Sequence, residues 1–145
     1  MMNGKSWMES TSPTPNAPDW LKRWPEAFSI VTGFFPETKP KGGMPACRPL
    51  LVTQVLRSKR DGSIALRIAY GTSKTRFPER MSQDLIIQNI SDLDACGLMT
   101  PTRFVISPRD QIIRPWTQEY FKPWGGCPSP RRGKLPEELQ KDYAW

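Results

Sequence analysis

The chain has 145 residues, 16 of them proline, no histidine, and a net charge of +7 with a pI near 9.6. The missing histidine excludes Ser-His and Cys-His nucleophile pairs, a histidine general base and the commonest zinc ligand. The three cysteines, Cys47, Cys96 and Cys127, form no Cys-x-x-Cys pair, so no zinc knuckle or disulfide framework is expected and they read as reduced thiols in a cytoplasmic protein.

The positive charge favours an anionic partner: nucleic acid, an acidic protein or an anionic surface. No apolar run approaches the roughly 18 residues of a membrane span, and Met1 to Ser6 lack a signal-peptide apolar core. No membrane association and no cofactor are expected.

Residues 1–24 read as a flexible arm rich in Ser, Thr, Pro and Asn, with one helical turn capped by Asp19 before Pro25. Phe28 to Phe35 is β-branched and aromatic and reads as the first strand. Pro36 to Pro45 is a basic, glycine-containing loop with Lys39 and Lys41. It is either a plain connection or a flap over a site.

Cys47 to Leu56 and Ile64 to Lys74 are apolar runs of strand length joined by a polar link containing Asp61-Gly62. That pattern predicts a β-hairpin. In an antiparallel hairpin the start of the first strand lies beside the end of the second. Arg48 and the group Thr72, Ser73 and Lys74 should therefore meet at one end of the sheet, where a guanidinium, hydroxyls and an ammonium would suit a phosphate.

Lys74 to Arg80 is a second basic loop, with Arg76 and Phe77. Asp84 to Ile90 reads as a strand, and Ser91 to Asp94 as a capped short helix closed by Gly97. Thr102 to Ile106 and Gln111 to Trp116 read as strands around a turn at Pro108 to Asp110. Thr117 to Phe121 reads as a helical turn, Pro123 to Gly133 as a Pro/Gly-rich connection, and Pro136 to Tyr143 as a short helix. Short strands with polar turns and little helix predict a mainly β fold, a small curved antiparallel barrel with short peripheral helices.

From Gly43-Met44-Pro45-Ala46-Cys47-Arg48-Pro49 into the apolar strand, the chain resembles the MazF/PemK (CcdB/PemK-like) toxin family. The strand ending in Gly71-Thr72-Ser73-Lys74 adds to the likeness. The run Gly97 to Phe104, followed by Ile113-Arg114-Pro115-Trp116, resembles the PemK-like branch. The resemblance covers about residues 26 to 122. It implies an SH3-like barrel over residues 25–122, with a C-terminal extension over 123–145. It also implies a homodimer that cuts single-stranded RNA without metal, and an acidic antitoxin partner that fills the RNA groove. Under the resemblance, Arg48 matches the catalytic arginine and Thr72 the catalytic threonine, with Ser73 the substitute if the register is off by one. The long N-terminal arm and the Pro-rich C-terminal segment depart from the family pattern.

Metal-free RNA cleavage uses the substrate's own 2′-OH, and donors aimed at the phosphoryl oxygens stabilise the charge that builds there. Arginine suits this role because it is planar, permanently charged and able to hold two oxygens at once. It is a poor acid or base, although the resemblance implies that role for Arg48. Lys41, Lys74 and Arg76 would hold the RNA backbone, while Tyr70 and Phe77 would stack on bases or fill the core. Trp116, Tyr120 and Trp124 carry the same choice between core and base platform.

A second reading is a non-catalytic SH3-like binding module for nucleic acid or a host protein, such as a phage-encoded inhibitor. A third is a toxin acting on a protein such as a topoisomerase.

Overall fold

The longest apolar runs form the longest strands. In the computed structural model, which describes residues 17–35, 47–75 and 84–143, these are β2 (Cys47–Arg57) and β3 (Ile64–Thr72). Before them comes β1 (Ser29–Phe34). After them come β4 (Leu85–Ile87), helix α1 (Ile90–Cys96), β5 (Thr102–Phe104), β6 (Ile112–Pro115), β7 (Arg131–Lys134) and helix α2 (Glu137–Gln140). Short 3-10 turns occupy Asp19–Lys22 and Pro108–Asp110.

The strands make one curled antiparallel sheet, a half-barrel, in the order β4-β5-β3-β2-β1-β7. Strand β3 has a divided edge. Its first half, Ala65 to Ile68, pairs with β6, and its last two residues, Gly71 and Thr72, pair with β5. Strand β3 thus joins β6 and β5 into the same curled sheet along one edge.

The turn between β2 and β3 is local chemistry. Gly62 takes φ 74°, a left-handed conformation that glycine adopts without a Cβ penalty. Asp61 Oδ1 accepts from the Ser63 N–H at 3.0 Å, and Ser58 N–H donates to the Ser63 carbonyl at 2.9 Å. The pairs Leu50↔Tyr70, Leu51↔Ala69 and Val52↔Ile68 set the register, which then shifts by one at Thr53. Thr53 is the extra residue of a bulge, an irregularity that sharpens local twist. Its buried Oγ1 lies 2.7 Å from Gln111 Oε1, tying the bulge to the segment that leads into β6.

Both faces of β1–β3 are covered, so these strands read as continuous apolar runs and not as alternation. Alternate side chains serve different cores. Val31, Leu50, Val52 and Ile68 pack with Trp20, Trp116 and Phe121 on one face. Ile30, Leu51 and Ala69 pack with Leu85, Ile87, Leu98, Phe104 and Leu135 on the other. Burying each large apolar side chain contributes about 1.5–3 kcal/mol.

Several expectations are corrected. Arg131–Lys134, read as a connection, is strand β7, paired with β1 through Ser29↔Lys134 and Ile30↔Gly133. Asp19 opens its 3-10 turn without capping it, and Trp20 of that turn is buried, so residues 17–24 include part of the core and are not simply an arm. Helix α1 is capped by Asn89, whose side chain accepts from Ser91 N–H at 2.9 Å, while Gly97 closes it at φ 69° as expected. The strand expected over Asp84 to Ile90 is only Leu85–Ile87. None of the three cysteines is in a disulfide. No helix among the described residues is long and apolar enough to cross a membrane.

Phe28 takes φ 71°, a strained backbone for an aromatic residue. Its backbone groups are claimed from two sides. Its N–H donates to the Val52 carbonyl at 2.7 Å, and its carbonyl accepts from Leu135 N–H at 2.8 Å. Gly133 carries the matching constraint on β7. A Cβ there would collide with the carbonyls of Ala95 and Cys96 at the end of α1. Gly133→Ala is therefore expected to lower stability by about 1–3 kcal/mol through overpacking. Gly125→Ala, where a Cβ would meet nothing within 4 Å, should leave the urea midpoint nearly unchanged.

Candidate nucleic-acid interface

The β2–β3 ladder stops where a proline removes a donor. The Val52 carbonyl faces β1, where it accepts from Phe28 N–H. Backbone alternation along the strand then turns Leu51 and Pro49 toward β3. Pro49 has no N–H to offer, and the β2–β3 pairs end at Leu50↔Tyr70. On the other side, β2 stays paired to β1 out to Phe34↔Cys47. The ends of β2 and β3 are thus left without a shared ladder, and a cleft opens there.

This cleft has a volume of about 590 Å³, within the range of small-ligand sites. Arg48, Thr72, Ser73 and Lys74 all line it. The α1–β5 connection adds Met99 and Thr100, and the C-terminal segment adds Trp124 and Arg132. No carboxylate lines it among the described residues. Arg48, Lys74 and Arg132 therefore make it a positively charged concavity, the arrangement that concentrates anions.

Continuing the register two residues past Leu50↔Tyr70 brings Arg48 level with Thr72. Strand alternation puts Arg48, Tyr70 and Thr72 on one face. The two primary candidates stand level, and the proposed substitute, Ser73, lines the same cleft just past the end of β3. The Arg48 guanidinium lies 5.6 Å from the centre of the Tyr70 ring, which also packs against the Phe35 ring at 4.9 Å. Tyr70 does not line the cleft. It packs against the core and carries the Arg48 guanidinium.

Thr72 Oγ1 accepts from Lys74 N–H at 3.1 Å. This local turn fixes the oxygen and leaves the hydroxyl hydrogen able to donate into the cleft. A buried ion pair holds the turn from behind. Arg103, level with Thr72 on β5, donates from Nε to the Lys74 carbonyl at 3.0 Å and from Nη1 to Asp84 Oδ2. Both charged side chains are almost fully buried. Sequence reasoning missed this pair because its members lie 19 residues apart and nothing local in the sequence links them.

Lys41, Arg76 and Phe77 lie outside the described residues. The described residues hold no group of three or more acidic, cysteine or histidine side chains able to bind a metal. Cys47 lines the cleft, and burial raises its thiol pKa, with Lys122 and Arg132 acting in the opposite direction. Burial pushes Cys96 further, to about 11, helped by Asp92.

No family model matches the chain, and no curated protein or solved structure matches it.

Two measurements follow from these contacts. Asp84→Ala strands the Arg103 charge in the interior and should cost about 3–5 kcal/mol in urea unfolding. Replacing Asp84 and Arg103 together by apolar residues should recover most of that loss. At pH 8 an alkylating reagent needs thiolate. Exposed Cys127 should label first and Cys96 last, as resolved by peptide mass spectrometry on the folded protein.

Proposed function

We propose that this chain is a metal-independent endoribonuclease of the MazF/PemK toxin type, cutting single-stranded RNA across the cleft at the open end of the β2–β3 hairpin. The observation that carries the reading is the shared position of Arg48 and Thr72. They stand level on one face, in a cleft lined by three cations and no carboxylate among the described residues.

In this mechanism the substrate's 2′-oxygen attacks the adjacent phosphorus and the bond to the 5′-oxygen breaks. The products are a 2′,3′-cyclic phosphate and a 5′-hydroxyl. Arg48 binds the phosphoryl oxygens as their charge builds. Thr72 donates its hydroxyl hydrogen to the same group, its oxygen held by the Lys74 N–H. Lys74 holds a neighbouring phosphate. Arginine is permanently charged, so we assign Arg48 to charge stabilisation and let water carry the protons. Such a site is slower than one with a histidine pair. The same reading makes the protein a cytoplasmic homodimer neutralised by an acidic antitoxin, whose carboxylates would occupy the cationic cleft.

A second reading has an observation in its favour. Arg48 rests on Tyr70 and the Thr72 oxygen closes a local turn, contacts that suffice for a binding module without chemistry.

Cleavage of mixed-sequence single-stranded RNA in EDTA separates the two. The nuclease reading expects fragments with 5′-hydroxyl and cyclic phosphate ends. Arg48→Ala should lower the rate by roughly 100-fold or more, and Thr72→Ala by about ten-fold. Intact RNA at high concentrations of folded wild-type protein would contradict the nuclease and leave the binding module.

A further inference from the structure

Trp124 differs from the core tryptophans. Trp20 and Trp116 are each 7% exposed and pack edge to face in the interior, whereas Trp124 is 45% exposed and lines the cationic cleft. The Arg132 guanidinium lies 5.3 Å from the Trp124 ring centre. Met99, 84% exposed, lines the same cleft from the α1–β5 connection.

The parts of this ledge are held by backbone. The Trp124 carbonyl accepts from Cys127 N–H at 2.8 Å, closing a turn in which Gly126 takes φ 75°. Arg132 belongs to β7, and its carbonyl packs so closely on Gly97 that no Cβ would fit there. An exposed aromatic ring braced by a cation beside phosphate-binding groups is what stacking on an unpaired base requires.

We infer that Trp124 and Arg132 form a nucleobase-stacking subsite at the rim of the cleft, for one unpaired base of single-stranded RNA whose phosphates lie along Lys74 and Arg48. The inference rests on the nucleic-acid reading of this cleft, but it does not require cleavage. Arg132 steadies the ring and adds positive charge. Trp124 supplies the stacking surface, which tolerates any base because every base has a π face. The other exposed tryptophan among the described residues is a contrast. Trp24 carries Arg57 at 5.1 Å, but it lines a different cleft, one that includes Glu26, and none of the phosphate-binding candidates stands there.

The test is fluorescence anisotropy at low ionic strength with two labelled oligomers of equal length. One is a 2′-O-methyl RNA, which binds without being cut. The other is abasic and offers phosphates alone. Wild type should prefer the base-bearing strand by about ten-fold. Trp124→Ala should lose about that factor on the base-bearing strand and nothing on the abasic one. Trp124→Phe should keep most of the preference, and Trp24→Ala all of it. Circular dichroism checks that each variant folds. Equal binding of both strands by wild type, no binding of either, or a Trp124→Ala variant indistinguishable from wild type would each overturn the subsite. Cleavage of ordinary RNA, measured separately, decides the nuclease reading. Binding with base preference but no cleavage would retain the subsite and reject the nuclease. Cleavage unchanged in Trp124→Ala, together with unchanged binding, would do the reverse.

Discussion

The interrupted ladder between β2 and β3 is the constraint on which the rest of the molecule depends. A fully zipped hairpin would bring backbone hydrogen bonds to the strand ends and close the space between them. Pro49 ends the ladder at Leu50↔Tyr70, while β1 keeps β2 in the sheet out to Cys47. The strand end is thus rigid on one side and open on the other. Arg48 and Thr72 reach one concavity because antiparallel pairing sets them level, and Tyr70, opposite Leu50, supports the guanidinium.

The outer parts of the fold complete this end of the sheet. Strand β5 continues the β3 edge beyond the point where β6 leaves it, and Arg103 on β5 secures the Lys74 carbonyl. That contact requires Asp84 to balance a buried guanidinium, since an isolated charge in the interior is costly. Strand β7 closes the other side through its glycine contacts with α1, and so carries Arg132 and the preceding Trp124 to the same cleft. Segments far apart in the chain converge on a single positively charged concavity.

The hairpin was legible because its signals are local: apolar runs, a polar link, and Asp61-Gly62 at the turn. Antiparallel pairing then placed Arg48 beside Thr72 with no further information. Strand β7 was not legible. Its residues, Arg131-Arg132-Gly133-Lys134, show no apolar pattern, and they form a strand because β1 offers an edge and Gly133 allows close approach. The Asp84–Arg103 pair is a tertiary contact between residues that each look like surface charges. Trp116 and Trp124 have similar basic and aromatic neighbours, yet one fills the core and the other faces the cleft. Trp116 N–H donates to the Ile64 carbonyl and so continues the pairing with β3, whereas Trp124 opens a turn closed by Cys127 N–H; composition encodes neither contact. The helix expected over Ser91 to Asp94 is Ile90–Cys96 behind an Asn89 cap, a boundary shift of the usual kind, because Asn and Ser are both good caps.

The central claim is that the open strand end is where single-stranded RNA sits. The most direct measurement is a titration of isotopically labelled protein with a short 2′-O-methyl oligonucleotide, read by backbone amide shifts. The account predicts perturbations gathered at Cys47–Arg48, Gly71–Lys74, Met99–Thr102, Trp124 and Arg132, with the hairpin turn at Ser58–Ser63 unmoved. Perturbations centred on that turn or on the Trp24 cleft, or an unchanged spectrum at saturating oligonucleotide, would contradict it.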